Sequence, residues 1–328
     1  MAAPFLSPDP RAVQPDPVMT NVMQDNSTQG GWLAPILCSV KEVPKDFVRW
    51  SKRDAQSLLN SLIDTLRTPG GRATLLSLPI KSWLTSVVQE DAVRVEYTEE
   101  DVNNSVSPEY PRIDAALKIL NVLQFATENR VGTLMTSCTH AFAAAGIWAG
   151  STGRIAADLE KAKATVVQNC GFEPNYIRVP RLKWGAIISC DEILKNPSFF
   201  YNPLYAALDA GASYPPEFSG LKLLMGVVRK DTTPTGSLTP GFVWDQGALG
   251  TTIHIGYSPT LQGERWDGAG QAYAQQFENQ LDGAAYAARE YPSPHYVEDK
   301  TTIVTGNVRR SAPETMNPEC VVQITSIA

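Results

Sequence analysis

The sequence is poor in the residues on which most enzymes and metal sites depend. Its 328 residues include three histidines and five cysteines, and no Cys-x-x-Cys pair occurs. An odd number of widely spaced cysteines argues against a disulfide framework and a zinc site, and favours reduced, mostly buried thiols. The spacings of a phosphate-binding loop, a dinucleotide-binding turn, a nucleophile elbow and a zinc-protease helix are absent as well. We therefore predict no enzyme activity, no cofactor and no metal.

Two weak catalytic candidates stay open at this stage. Gly150-Ser151-Thr152-Gly153 comes nearest to a phosphate cradle, but it lacks the lysine and the preceding strand. A nucleophile pair such as Cys170 with His254 has no local sequence support.

Positive charge and long apolar runs are also scarce. Lys and Arg number 28 against 34 Asp and Glu, and the net charge of -6 argues against a general nucleic-acid binder. Polar residues such as Lys118 and Glu128 interrupt every apolar window of ~20 residues in the longest helical stretch, so we predict no membrane span. Without the basic and apolar segments of a signal peptide at the N-terminus, the chain is expected to stay in a cytoplasm.

The N-terminal 31 residues, Met1 to Gly31, are rich in Pro, Asp, Ser, Asn and Gln. Prolines at five positions are expected to keep this arm out of helices and sheets. It is either a disordered tail, which composition favours, or an extension that orders when laid across a neighbouring subunit.

The next part, 32–94, reads as short strands followed by a loop. Leu33–Leu37 and Val40–Val43 have strand-like composition, and Asp54–Leu66 is helical in pattern. Basic residues slightly outnumber acidic ones from Lys41 to Arg94, and the stretch after it is acidic. This part is either a protruding two-armed loop or a plain solvated subdomain.

Arg112 to Ala145 is predicted to form one long helix. Its apolar residues recur at three- and four-residue steps, Pro111 precedes the first turn, and Gly146 supplies a stop. At ~1.5 Å per residue the helix would span about 50 Å, which is more than a small domain needs. We interpret it as a strut, with a buried helix of an α-bundle as the alternative.

The remaining sequence predicts a mixed α+β domain and a strand-rich C-terminus. Asp158 is expected to cap a helix over Leu159–Cys170, which Gly171 ends. Further elements are predicted as a helix over Leu182–Ile188 and strands over Tyr176–Val179, Leu221–Val228, Phe242–Trp244, Thr251–Tyr257, Tyr273–Phe277, Ala284–Ala288, Thr301–Val308 and Val321–Ile327. Some of the last strands should pair beside the strut and cover its apolar stripe.

This order of segments resembles the major capsid proteins of tailed phages, which share the Hong Kong 97-type fold with encapsulin shells. The resemblance covers the chain from about Trp32 onward and rests on an ordered set of motifs. These are Trp32-Leu33-Ala34-Pro35-Ile36 with Asp46-Phe47-Val48-Arg49-Trp50; Arg112-Ile113-Asp114-Ala115; Asp158-Leu159-Glu160-Lys161-Ala162 with Gly171-Phe172-Glu173-Pro174-Asn175; and Leu223–Val228 with Phe242-Val243-Trp244-Asp245.

The resemblance implies an α+β fold in five parts. They are an N-terminal arm (1–31), an arm-to-loop segment with an extended loop (32–94), a peripheral domain with a spine helix (95–150, helix 112–145), an axial domain (151–270) and a β-rich return through both domains (271–328). It also implies contacts between subunits through Trp32, Arg49, Trp50, Arg53, Arg67, Arg72, Lys81 and Trp83.

The function implied is assembly: hexamers and pentamers of one chain would tile an icosahedral shell around double-stranded DNA. Such a virion capsid would be assembled in the host cytoplasm, with scaffolding, portal and decoration proteins as further partners and with DNA held only by non-specific proximity. Deleting the residues before Trp32 is expected to leave the fold intact and to impair shells. The alternatives are an encapsulin-like compartment for an enzyme cargo and a cytoplasmic α/β enzyme.

Overall fold

The computed structural model describes residues 15–26, 31–51, 83–107, 109–148, 152–195, 217–231, 240–262, 272–280, 285–293 and 300–327. The helices are α1 (Pro17–Asn26), α2 (Ala34–Leu37), α3 (Glu99–Asn104), α4 (Glu109–Met135), α5 (Ile155–Cys170), α6 (Arg181–Ile188) and α7 (Asp191–Lys195). The strands are β1 (Cys38–Glu42), β2 (Phe47–Ser51), β3 (Trp83–Val87), β4 (Gln89–Thr98), β5 (His140–Ala143), β6 (Tyr176–Arg178), β7 (Glu217–Phe218), β8 (Leu221–Leu224), β9 (Arg229–Asp231), β10 (Pro240–Phe242), β11 (Ile253–Gly256), β12 (Ala274–Glu278), β13 (Tyr286–Pro292), β14 (Thr301–Arg310), β15 (Glu314–Thr315) and β16 (Val321–Thr325).

The N-terminal part contains a helix, where the sequence predicted an arm without regular structure. The carboxylate of Asp16 accepts hydrogen bonds from the backbone N–H groups of Val18 and Met19 and so caps α1. Pro17 occupies the first turn, where no N–H is needed. Met19 and Met23 are buried against α4 and the first sheet. The prediction was wrong for α1 because proline breaks a helix only beyond its first turn.

The first sheet carries the long helix α4. Strand β14 lies between β4 and β13 and is antiparallel to both, while β12 pairs with the end of β14, with β1 and with β15. Helices α1 and α4 cover one face of this sheet. The helix comes very close to β14: a Cβ atom on Gly306 would lie 2.4 Å from Cγ2 of Ile119 and 3.1 Å from Cε of Met23. The prediction that C-terminal strands pair beside the long helix is confirmed.

The long helix is shorter than predicted, because it ends at Met135 and not near Ala145. The 27 residues of α4 correspond to about 40 Å. The residues after the helix are small and polar, and their hydroxyl groups donate to its last free carbonyl groups. The Thr136 hydroxyl donates to Thr133 O at 2.7 Å, and the Ser137 hydroxyl donates to Leu134 O at 2.8 Å. The predicted last turns instead form β5, which pairs in parallel with β16. His140 and Phe142 therefore lie on a strand.

The second sheet has the strand order β5-β16-β11-β6-β8-β7. Helix α5 packs on β16 and β11 and contributes Leu159, Ala162 and Val166 to the main hydrophobic core. Gly171 ends α5 in the left-handed conformation with φ 78°, as predicted. Asp158 does not cap this helix, which begins at Ile155. Its carboxylate accepts hydrogen bonds from Ala145 N and Trp148 Nε1 and ties the preceding loop to α5.

Both sheets take strands from both halves of the chain. The first sheet joins β1 and β4 to β12–β15, and the second joins β5 to β16. The domain boundaries given by the sequence stay a prediction.

Candidate assembly interface

Strands β2 and β3 form a two-stranded antiparallel ribbon at the base of the predicted extended loop. The register pairs Phe47 with Val87 and Ser51 with Trp83. Because side chains alternate along a strand, the ribbon has two faces of opposite character. The segment 52–82, which joins the strands and holds the predicted helix Asp54–Leu66, lies outside the described residues.

The inner face of the ribbon is packed against its own chain. Trp50 is only 6% exposed, and its ring lies 6.2 Å from that of Phe277. The Trp50 Nε1–H donates to Ser86 Oγ at 2.5 Å, and the Ser86 hydroxyl donates to Glu314 Oε1 at 2.5 Å. The indole polar atom is therefore satisfied, as a buried tryptophan requires. This face holds the ribbon to β12 and β15.

The outer face of the ribbon is apolar and exposed. Phe47, Val87 and Trp83 are 62%, 56% and 51% exposed. The guanidinium carbon of Arg49 lies 5.1 Å from the centroid of the Trp83 ring, within range of a cation–π contact. Contiguous large apolar side chains on a surface mark contact sites, and aromatic residues with arginine are the types enriched in such sites. The outer face is the candidate interface.

The residues predicted to contact other subunits thus divide into four groups. Arg49 and Trp83 lie together on the outer face, whereas Trp50 lies beneath it. Trp32 is half-buried and packs against the main core. The other four, Arg53, Arg67, Arg72 and Lys81, lie outside the described residues. Sequence reasoning missed Phe47 and Val87, because Phe47-Val48-Arg49-Trp50 does not alternate between polar and apolar residues and only the register of β2 with β3 brings Phe47 opposite Val87.

A buried carboxylate on α4 connects three distant segments. Glu128 of α4 is fully buried and accepts hydrogen bonds from Leu33 N at 2.6 Å, Ala34 N at 2.6 Å and Trp244 Nε1 at 2.7 Å. Burial raises the pKa of Glu128, and the three hydrogen bonds oppose that rise. By accepting from the first N–H groups of α2, Glu128 favours a helical turn where the sequence predicted the strand Leu33–Leu37.

A second carboxylate that accepts hydrogen bonds from backbone N–H groups explains another strand that the sequence predicted wrongly. The carboxylate of Asp245 accepts hydrogen bonds from Arg181 N at 2.9 Å and Leu182 N at 3.0 Å and so caps α6. Together with the bond of Trp244 to Glu128, this holds residues 243–245 in a 3-10 turn. The predicted strand Phe242–Trp244 therefore ends at Phe242.

The buried titratable groups have structural partners. His254 is fully buried, and its Nε2–H donates to the carbonyl of Met135 at 3.0 Å, since a carbonyl can only accept. Burial and the nearby charge of Arg178 lower the pKa of His254 to about 3, so it is neutral at pH 7. The thiol of Cys170 is hydrogen-bonded to that of Cys320. Within the described ranges, no group of three or more His, Cys, Asp or Glu side chains is arranged to hold a metal.

The helices of the described part are all too short or too polar to cross a membrane. No protein-family model and no curated protein sequence matches this chain.

Solved structures do match it over almost its whole length. A phage-related protein from Bordetella bronchiseptica is 15% identical, with 96% of this chain and 98% of that chain covered and a TM-score of 0.67. The mature capsid of bacteriophage PhiM1 is 13% identical, with 90% and 87% covered and a TM-score of 0.53. The capsid of cyanophage P-SCSP1u is 9% identical, with 88% and 86% covered and a TM-score of 0.52. The chain has the Hong Kong 97-type capsid fold. That α4 is the spine helix of this fold, and the β2–β3 ribbon the base of its extended loop, stays a prediction.

Proposed function

We propose that this chain is the major capsid protein of a tailed double-stranded DNA phage. It assembles as hexamers and pentamers into an icosahedral shell, in a structural and not a catalytic role. The observation that carries the proposal is the exposed apolar outer face of the ribbon, on a fold that it shares with phage capsids. An isolated molecule gains nothing from three large apolar side chains in water.

A contact made by the outer face of the ribbon is well suited to a closed shell. Three residues of this kind bury a few hundred Å² at most, which is too little for a stable pair of proteins but adequate when symmetry repeats each contact. The net charge of -6 supports a container that encloses DNA without binding it tightly. Scaffolding, portal and decoration proteins stay predicted partners.

The test is to express the chain and two variants of one position on the outer face. The wild type is expected to elute in the megadalton range and to form shells in negative-stain micrographs. Phe47→Asp, which places a charge in the contact, is expected to remain in small oligomers with an unchanged circular dichroism spectrum. Phe47→Leu keeps the position apolar and is the matched control, expected to form shells. A wild type that elutes as a small oligomer would contradict the proposal.

A second measurement separates a virion capsid from an encapsulin-like compartment. Particles purified from phage-infected cells are expected to carry nuclease-resistant DNA. Particles that hold an enzyme cargo and no DNA would favour the compartment.

A further inference from the structure

Two cysteine side chains meet where helix α5 ends and the last strand begins. Cys170 is the last residue of α5, and Cys320 is the last residue of the 3-10 turn Pro318–Cys320, which leads directly into β16. Cα atoms of the helix lie within 8 Å of Cα atoms of this turn. The two thiols are reduced and hydrogen-bonded to each other, so their sulfur atoms are already neighbours.

The thiol pair belongs to a chain of hydrogen bonds that satisfies both sulfur atoms. At one end, the side-chain amide of Asn317 donates to Cys320 Sγ at 3.0 Å, and at the other the Cys170 thiol donates to the carbonyl of Phe172 at 3.8 Å. Within the pair, Cys320 therefore donates and Cys170 accepts. The hydrogen bond from Cys320 lowers the pKa of Cys170, because it stabilises the thiolate. Cys170 is thus the better nucleophile of the two, since the thiolate is the form that oxidants attack.

The pair lies close to the surface, although both side chains are covered. Cys170 and Cys320 are 2% and 0% exposed. Gly171, the next residue after Cys170, is exposed, and Glu319, the residue before Cys320, is half-buried. Helix ends open locally at low cost in free energy. A reagent about as small as water can therefore reach the pair when the end of α5 opens.

The other three cysteines differ from Cys170 in place and in reactivity. Cys38 lies on β1 of the first sheet, Cys190 follows α6, and the Cys138 thiol donates to the carbonyl of Met135 at 3.3 Å. Burial raises the pKa of Cys38 to about 12 and that of Cys138 to about 11, so both stay protonated at pH 7. A mild oxidant should therefore select the pair at the end of α5.

We infer that Cys170 and Cys320 form a site of reversible oxidation, which hydrogen peroxide converts to a disulfide bond within one chain. The Cys170 thiolate attacks one peroxide oxygen, the O–O bond breaks, and hydroxide leaves, so that Cys170 becomes a sulfenic acid. The sulfur of Cys320 then attacks the Cys170 sulfur, and the hydroxyl group leaves as water with the Cys320 proton. In sum, the two thiols lose two electrons and two protons, and one peroxide becomes two water molecules.

The bond would fasten the last strand of the chain. It joins α5 to the start of β16, which connects β5 to the rest of the second sheet. It also closes a loop of roughly 150 residues, which reduces the conformational entropy of the unfolded chain. The pair stays reduced in a cytoplasm and gains the bond in oxidising surroundings. Because the bond forms within one chain, the inference goes beyond the proposed function and does not depend on it.

The test maps the thiols of the full chain. The protein is reduced, freed of reductant, treated with a small excess of hydrogen peroxide, and then denatured in N-ethylmaleimide and digested for mass spectrometry. We expect peptides joined through Cys170 and Cys320, with the remaining three of the five thiols labelled, and full recovery in dithiothreitol. Cys38→Ser removes another buried thiol and is the matched control, expected to form the same bond. A bond between other cysteines, or no bond at all, would overturn the inference.

Cys320→Ser tests the order of the two steps. In this variant Cys170 becomes a sulfenic acid that no thiol resolves, so dimedone added during denaturation should label Cys170, whereas the wild type should stay unlabelled there. Dimedone on Cys38 or Cys138 instead would place the reactive thiol elsewhere and overturn the inference. The peptide map of the wild type decides whether the bond forms even where a serine variant does not fold.

Thermal unfolding tests what the bond does. The oxidised wild type should unfold at a midpoint at least about 5 °C above that of the reduced protein, and dithiothreitol should reverse the shift. Cys170→Ser should show no shift on oxidation, and Cys38→Ser should show the full one. An unchanged midpoint in a cross-linked chain would overturn the fastening of β16. A chain that carries the bond but stays a small oligomer would contradict the proposed function alone.

Discussion

Single buried polar residues decide how distant parts of this chain meet. Glu128 is the strongest case, because three donors from the start of α2 and from the 3-10 turn after β10 converge on its carboxylate. From the helical spacing of apolar residues alone, Glu128 looks like an interruption of the apolar stripe. In the structure the same residue is the point to which the start of α2 is attached.

Replacing Glu128 by Gln should destabilise the fold by about 1–3 kcal/mol, because the amide NH2 would face a backbone N–H donor in the interior. Urea unfolding followed by circular dichroism measures the loss. The control is Glu160→Gln, which removes an exposed carboxylate paired with Lys163 and should change the free energy of unfolding by less than about 0.5 kcal/mol. Equal losses in the two variants would argue against the role of Glu128.

His254 predicts how stability depends on pH. Its pKa is about 3 in the folded chain and about 6.5 when unfolded, so between these values the unfolded state binds more protons. Stability should therefore fall as the pH drops from 6.5 towards 3, by up to about 1.4 kcal/mol per pH unit from this residue. His254→Gln removes the titration, and its unfolding curves at pH 4 to 7 should show a shallower dependence. The same dependence in both proteins would assign the effect to other groups.

At the level of elements, the packing of α4 on the first sheet depends on one glycine. Gly306→Ala should destabilise the chain by about 1–3 kcal/mol, because the new methyl group would overlap the β-branched side chain of Ile119. Gly185→Ala is the matched control: a Cβ there meets nothing within 4 Å, and alanine favours a helix by up to about 1 kcal/mol. Thermal unfolding of the two variants should shift in opposite directions.

The N-terminal helix changes the expectation for a truncated chain. Deleting residues 1–31 removes Met19 and Met23 from the core between α1, α4 and β13, so the truncated chain should unfold more easily and not retain an intact fold. A truncation at Trp32 with wild-type stability would show that α1 contributes little.

Sequence patterns predicted the elements well wherever local signals and packing agree. Gly171 marked the end of α5, Leu182–Ile188 was recognised as α6, and the long C-terminal strand β14 was placed to within two residues. The long helix α4 was predicted to extend too far, because Cys138 and Phe142 continue the spacing of its apolar residues. Only the pairing of β5 with β16, about 180 residues away in sequence, decides that Phe142 lies on a strand. Of the outer face of the ribbon, the sequence predicted Arg49 and Trp83, which are residue types common in interfaces. It did not predict Phe47 and Val87, because only the pairing of β2 with β3 makes them neighbours.

For the whole molecule, the pairing of β5 with β16 has a consequence for synthesis. The second sheet takes a strand from the middle of the chain and another from its last residues, and β16 is the strand that joins β5 to the rest. A nascent chain cannot complete this sheet until residues 321–325 have left the ribosome. Chains whose translation stops before residue 321 therefore lack β16, and their second sheet stays incomplete. Residues 321–325 thus act as a check on synthesis, because only chains extended beyond them can join β5 to the rest of the second sheet.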